Sequence, residues 1–384
     1  MRKLSDKFCT IWAYTALFSF LLSCLQSVSY AQNVEEMHDA ALKQLVSLQK
    51  PPEYIAKKRL TGWFKLVEEK ADRDYLQNYF NIVGYKPPPN TYALIARVAK
   101  IKSTISLQYF SLGDTAFTYS MTDSGEQNYW PASTVKLLAA VAALIKAQQL
   151  GIDSEAQITF SDIDEDVSAS LAELCTAAIV ASSNPAYNQL MLFAGVDEAN
   201  KTIRQTLALP QTVLLRRYAR KRPDDNLRYS PIINYNHENK SGQIAERYSK
   251  SEYPQCPREA NCTNLVELAD LMLRVVLHNE LPPKYRLPLA AKDIDMLNNS
   301  LLKAPSCIKN AVRSTMGARS KIFNKGGKVI GDDRLEVAVL SAHKSKERYL
   351  IALSMPQHDL VEEQTNELAR QLILAMRVLA HAQE

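Results

Sequence analysis

Trp130-Pro131-Ala132-Ser133-Thr134-Val135-Lys136-Leu137-Leu138-Ala139-Ala140-Val141-Ala142-Ala143-Leu144-Ile145 leads into a segment, residues 133–149, that is apolar nearly all round. A helix with no polar face belongs in a protein interior, and Trp130-Pro131 gives this one an abrupt start. Lys136 then carries an ammonium into buried surroundings, which is costly and calls for a reason. Ser133 and Lys136, three residues apart, share one face of that helix. A serine hydroxyl is a poor nucleophile until a base removes its proton, and a lysine can be that base once burial and a neighbouring cation lower its pKa. S-x-x-K by itself arises by chance in many chains, where it marks a surface lysine at a helix start; the apolar helix argues against that bland reading.

Outward from this helix the pattern changes. Residues 92–98, 105–110 and 117–121 read as short strands, with Gly113-Asp114 as the turn between the last two. After it, helices are expected at 170–181, 185–194, 198–207 and 264–278. Strands return only at 321–325, 335–342 and 349–355. A closing amphipathic helix follows over 360–381, with Asp359 as its cap and Glu362 and Glu363 in its first turn. Strands from both ends around a helical middle predict an α+β fold: an antiparallel sheet formed by both termini, flanked by helices, with an inserted all-helical lobe and the site at their junction. The domain runs over 93–384, with 93–140 and 318–384 as its α/β part and 141–317 as its helical part. Residues 214–263, rich in Arg, Asn, Tyr and Ser, are too long for an ordinary connection and read as irregular. Residues 32–92 read as a helical, polar N-terminal extension ended by Pro87-Pro88-Pro89.

Two further clusters give the S-x-x-K pair its weight. Ser182-Ser183-Asn184 follows a helix, and Lys325-Gly326-Gly327 ends a strand, in the chain order of penicillin-recognising enzymes. Leu174-Cys175-Thr176-Ala177-Ala178-Ile179 before Ser182, and Pro185-Ala186-Tyr187-Asn188 after it, closely resemble the flanks of the second motif of class A β-lactamases; Phe323-Asn324-Lys325-Gly326-Gly327 resembles the third. The resemblance covers the chain from about residue 92 to its end. It implies an acyl-enzyme mechanism on an amide, a β-lactam or a cell-wall peptide. In it Ser133 is the nucleophile, Lys136 its base, Ser182 a proton relay to the leaving nitrogen, and Lys325 a source of positive field. Asn184, Gly326, Gly327 and Lys328 would bind substrate, with the backbone N–H groups of Ser133 and Lys328 as the oxyanion hole, worth about 3 kcal/mol per donor. No cofactor is implied.

Departures from the family pattern are equally informative. The residue after the strand lysine normally bears a hydroxyl that helps bind the substrate carboxylate, and here it is Gly326. Ser183 replaces the acidic residue usual in class A enzymes. Their deacylating glutamate follows an arginine and an aromatic residue, whereas Arg216-Arg217-Tyr218 continues with Ala219. A deacylation base is therefore missing from its place, unless Glu238, Glu246, Glu252 or Glu259 supplies one; each of these otherwise reads as a solvated loop charge. Cys175 matches a family position that often forms a disulfide, but the usual partner position is Ala132. That leaves Cys175 as a buried free thiol or paired with Cys307.

The 384-residue chain is 46% apolar with a formal charge of +5. Setting aside residues 1–31, where Arg2, Lys3 and Lys7 outweigh Asp6, lowers the charge to +3, too mild to imply nucleic acid. That first segment has a basic start, an apolar stretch over 11–25 and small residues Ser29 and Ala31, the three parts of a secretory signal peptide. Ser19, Ser23 and Gln26 interrupt it as a membrane span, and Leu21-Leu22-Ser23-Cys24 is the rival reading, lipoprotein anchoring through Cys24. A periplasmic or secreted location makes disulfides possible, and Cys256 and Cys262, flanking a short loop, are the expected pair. Zinc is disfavoured because neither C-x-x-C nor H-E-x-x-H is present. Ser-His-Asp catalysis lacks a G-x-S-x-G, and the cluster Arg216, Arg217, Arg220, Lys221, Arg222 and Arg228 reads as a solvated loop more readily than as a face for an anionic polymer. The expected partner is a small-molecule or peptide substrate, with a non-catalytic cell-wall or partner-binding protein of the same fold as the alternative. The sequence leaves the oligomeric state open.

Overall fold

A computed structural model describes residues 54–56, 67–69, 75–101, 104–113, 131–160, 167–218, 227–238, 240–253, 256, 260–328, 334–343, 345–356 and 360–382. The expected signal segment, Cys24, residues 32–53 of the expected helical extension and the strand over 117–121 lie outside these residues.

Five antiparallel strands form the main sheet, in the order Lys321–Lys328, Arg334–Ser341, Arg348–Met355, Tyr92–Ile101 and Thr104–Leu112. Two strands from the N-terminal side thus lie edge to edge with three from the C-terminal side, as the sequence pattern predicts. Alternate residues of these strands point to opposite faces, and both faces are covered. Leu94, Ala96, Val98, Leu335, Val337 and Val339 face the inserted lobe, whereas Ala93, Ile95, Ala338, Leu340 and Ile351 face the closing helix Val361–Ala382 and the helix Lys309–Met316. Burial on both sides explains why these strands read as apolar runs rather than alternating patterns.

The lobe is built around the central helix Lys136–Gln149, entered through a tight 3-10 turn over Ala132–Val135. Eleven of its residues are buried, from Lys136 to Ala147. Helices Leu171–Ile179, Asn184–Ala194, Val196–Lys201, Leu265–Val276 and Ala291–Lys303 surround it, with the Val196–Lys201 helix running on into a further turn over Thr202–Thr206. Their starts follow from sequence. Ser170 and Glu173 form a reciprocal capping box, Ser183 accepts from the Ala186 N–H with Pro185 in the first turn, and Asn264 accepts from the Glu267 N–H.

The lobe is not helical throughout. Strands Lys240–Ile244, Ile233–His237, Gln157–Phe160 and Val167–Ser170 form a four-stranded antiparallel sheet. Short ribbons pair Tyr229–Ser230 with Arg247–Tyr248 and Val213–Leu214 with Asn261–Cys262. Part of the stretch that reads as irregular is therefore ordered by backbone pairing. Its hairpin, INYNH against KSGQI, has mostly polar and partly exposed side chains, so no apolar period betrays it.

Before the main sheet, Tyr54–Ala56 pairs with Val67–Glu69 as two short strands, within the extension over 32–92 that reads as helical. Helix Tyr75–Ile82 packs Tyr75, Leu76, Tyr79 and Phe80 into the core beneath the closing helix. Cys256 and Cys262 form a disulfide, and Cys175 and Cys307 are free thiols, so the alternative of a Cys175–Cys307 pair is overturned. Cys175 is fully buried in the lobe, whereas Cys307 belongs to the outer side of the sheet. Among the described residues no helix is long and apolar enough to cross a membrane, and no group of three or more His, Cys, Asp or Glu side chains could hold a metal ion.

Candidate active site

Ser133 sits in the tight turn that leads into the central helix, one residue after Ala132, whose φ is 45°. An alanine in the left-handed region carries about 1–2 kcal/mol of strain. Gly327, on the edge strand, lies directly against this turn. A Cβ there would stand 2.9 Å from the Ala132 Cβ and 3.0 Å from the Ser133 nitrogen. Only glycine leaves the space in front of the Ser133 N–H open.

Ser182 has φ 52° and bridges the end of helix Leu171–Ile179 and the Ser183 cap of the next helix. The two strained residues flank a single lysine. Lys136 Nζ lies 2.9 Å from Ser133 Oγ, 3.2 Å from Ser182 Oγ and 2.8 Å from Asn184 Oδ1, and it also contacts the Ser182 carbonyl. The Ser182 carbonyl and Asn184 Oδ1 can only accept. They take two N–H groups of Lys136, so in the neutral amine the lone pair is left for a hydroxyl, and Ser133 is the nearer one.

Burial, and after it the Lys325 ammonium, lowers the Lys136 pKa to about 7. Lys325 projects from the edge strand and donates to Ser182 Oγ at 3.1 Å and to the Gly326 carbonyl at 2.8 Å. Burial lowers its own pKa to about 8, opposed by the nearby Glu336 carboxylate. Ser182 Oγ thus bridges two lysines, and its own hydrogen is free to point elsewhere.

Ser133, Lys136, Ser182, Asn184, Lys325 and Gly327 therefore converge at the junction of sheet and lobe. Gly326 is half-buried beside Lys325, and Lys328 is exposed at the strand end. Of the four glutamates weighed as substitute bases, Glu238 and Glu252 are exposed in loops, Glu246 accepts from the Tyr229 hydroxyl at 3.1 Å, and Glu259 lies outside the described residues, as do Ala219, Arg220, Lys221 and Arg222.

Tyr218, Asn188 and Glu336, to which the sequence assigned no role, border the cluster. The Tyr218 hydroxyl donates to the Ala132 carbonyl at 2.6 Å and accepts from Asn261 Nδ2 at 3.1 Å, and its ring centre lies 5.5 Å from Lys136 Nζ. Asn188 grips the Tyr218 backbone from both sides, accepting from its N–H at 3.0 Å and donating to its carbonyl at 2.8 Å. Glu336 is buried opposite Gly326 in the neighbouring strand. A lone acid in the apolar run Arg334–Ser341 was the available sign of it.

A sheet made from both ends of the chain, an inserted lobe, and a serine–lysine pair at the start of a buried helix define the β-lactamase/transpeptidase-like class of folds. The chain belongs to the beta-lactamase enzyme family, whose family model matches residues 93–376. Among solved structures, PBP-A is similar, at 15% identity and a TM-score of 0.53, covering 85% of this chain and 99% of that one. A class A β-lactamase from Bacteroides cellulosilyticus DSM 14838 is similar at 13% identity and TM-score 0.52, over 80% of this chain and 98% of that one. A β-lactamase from Burkholderia vietnamiensis matches at 14% identity and TM-score 0.51, over 81% and 97% respectively. At such identities the likeness is one of fold. No curated protein sequence matches the chain.

Proposed function

We propose that the protein is an exported serine hydrolase that forms an acyl-enzyme on an amide substrate, a β-lactam or a cell-wall peptide. The observation that carries this reading is the 2.9 Å approach of Lys136 Nζ to Ser133 Oγ, with the lysine's other acceptors already filled. At a pKa of about 7, roughly half of Lys136 is neutral at neutral pH, a state suited to a general base. Ser133 Oγ attacks the carbonyl carbon while its proton passes to Lys136 Nζ. The carbonyl oxygen becomes an oxyanion facing the Ser133 and Lys328 N–H groups. Ser182, bridging Lys136 and Lys325, hands a proton to the leaving nitrogen as the C–N bond breaks, and Lys136 restores it. Asn184 orients the lysine and receives the substrate amide. The Cys256–Cys262 disulfide, which an oxidising compartment sustains, supports export.

In the sequence Arg216-Arg217-Tyr218 continues with Ala219 where the family pattern has its deacylating glutamate, so the acyl-enzyme is expected to persist. One of the fold relatives, a PBP-A variant, is described as an acyl-enzyme complex with penicillin G. A fluorescent penicillin and then an alkyl fluorophosphonate, followed by peptide mapping, test the reading. Labelling of Ser133 by both supports it, labelling by the second alone moves the substrate outside β-lactams, and labelling by neither leaves a binding protein. Ala219→Glu is expected to shorten the adduct lifetime in intact-mass decay; an unchanged lifetime would place that loop away from the ester.

A further inference from the structure

Gly326 is a glycine for a reason other than its backbone, because its φ is not positive. A Cβ added there would stand 2.8 Å from Glu336 Oε2 and 3.6 Å from the Leu335 carbonyl. Gly326 and Glu336 are direct cross-strand partners, and cross-strand partners point to the same face of a sheet. The Glu336 carboxyl therefore fills the volume that any side chain at position 326 would take.

That carboxyl is held as an acceptor. Ser306 Oγ accepts from the Ile308 N–H at 3.3 Å, which leaves its hydrogen to donate to Glu336 Oε1 at 2.7 Å. The Cys307 thiol donates to Oε2 at 3.3 Å. Both oxygens thus receive a hydrogen, the pattern of an ionised carboxylate; burial pushes its pKa up, and the Ser306 and Cys307 hydrogen bonds and then the Arg334 and Lys325 cations oppose that rise. Arg334, the cation at the start of the same strand, is paired with Glu362 of the closing helix at 3.0 Å. Lys325 is the other cation acting on Glu336, so part of the field that Lys325 would exert on the cleft is neutralised from behind the strand.

We infer that Glu336 is a specificity-determining residue: it favours substrates whose leaving portion presents an uncharged or cationic group beside Gly326, and slows acylation by those that present a carboxylate there. A substrate carboxylate at this place meets no hydroxyl, because residue 326 has no side chain. It meets instead a second carboxylate behind the glycine and a partly neutralised ammonium. An amide or ammonium group suffers neither loss. Glu336 is 1% exposed, so it acts through its charge and through the space it occupies rather than by touching substrate.

This inference rests on the proposed acyl transfer at Ser133, and the experiment separates the two. The full chain is first titrated with an alkyl fluorophosphonate; absence of a Ser133 adduct sinks the acyl-transfer reading, and this inference with it. Burst kinetics are then measured on three phenyl esters sharing one acyl group, whose leaving phenol bears a carboxylate, a carboxamide or an ammonium at the same ring position. Each rate is divided by that ester's rate of hydrolysis in hydroxide. The carboxamide and ammonium esters should acylate at least about tenfold faster than the carboxylate ester, a modest part of what two charges a few ångströms apart exert near a protein surface. In Glu336→Gln the gap should close to within about threefold, a change that loss of a mere structural tie would not produce, since it would slow all three esters alike. Where Glu336→Gln does not fold, Glu336→Ala combined with Gly326→Ser refills the volume and supplies a hydroxyl, and it should invert the preference. A wild-type protein that takes the carboxylate ester as fast as the carboxamide overturns the inference, as does a gap that survives either variant.

Discussion

Lys136 is among the largest fully buried side chains, and an ammonium there works against the fold. Its pKa is 10.5 in an unfolded chain and about 7 in the folded one, lowered first by burial and then by Lys325. Between those values the unfolded chain binds the extra proton, so this group's contribution to stability rises with pH from about 7 to 10.5 and is flat below. Lys136→Met is accordingly expected to melt higher than wild type at neutral pH, by about 1–4 kcal/mol of stability, while losing fluorophosphonate labelling. A lower melting temperature would mean that the lysine's four oxygen contacts outweigh its desolvation. The same pKa sets the rate profile. Labelling of wild type should rise with pH through an inflection near 7, as the neutral amine forms. Lys325→Met removes a repelling cation, so the inflection should move to higher pH. An inflection that stays put would detach Lys325 from the base.

At the scale of elements, the turn before the central helix is held open by a loop rather than by its own sequence. Ala132 is strained, and its carbonyl is satisfied by the Tyr218 hydroxyl, which is itself supported by Asn261 and by the Asn188 clamp. Removing one partner of a buried hydrogen bond costs about 1–3 kcal/mol. Tyr218→Phe should therefore lower the melting temperature and slow labelling of Ser133, because the adjacent turn is free to relax. A lower melting temperature without slower labelling, read by circular dichroism and adduct mass, would confine Tyr218 to a packing role. Tyr218 also marks the limit of what the sequence discloses. The central helix was legible because it is apolar nearly all round, with eleven of its fourteen residues buried, and the starts at Ser183 and Asn264 carry their own capping chemistry. The partners of Tyr218 come from positions 132, 188 and 261, and nothing local announces such a meeting. The hairpin Ile233–His237 with Lys240–Ile244 escaped for a different reason: its order comes from main-chain pairing, while its side chains are nearly as polar as a loop's. Glu336 lay in plain view, but an acid in an apolar strand gains meaning only when its cross-strand partner is known to be Gly326.

Across the whole molecule the sheet divides two cores with different duties. The inner one, between sheet and lobe, carries the serine–lysine cluster. The outer one, under the closing helix, carries no residue of that cluster and serves to keep the sheet in place. Helix Tyr75–Ile82 belongs to the outer core. Tyr75 and Tyr79 are at most 1% exposed, the Tyr75 ring meets Phe110 at 4.7 Å, and its hydroxyl donates to the Ala375 carbonyl at 2.7 Å. Leu76 and Phe80 complete the patch, in the same buried cluster as Leu372 and Met376 of the closing helix. Losing a buried aromatic side chain costs about 3–5 kcal/mol, and whole domains are stable by only about 5–15 kcal/mol. Deleting these four residues together should thus consume most of the margin. A chain beginning at residue 86 is expected to melt far below one beginning at residue 71, which keeps the helix, and to expose apolar sheet surface that binds a hydrophobic dye. Equal melting of the two would make residues 75–82 an appendage. Unequal melting, with fluorophosphonate labelling retained by whatever fraction stays folded, would show that this segment supports the sheet from behind while the chemistry proceeds on its other face.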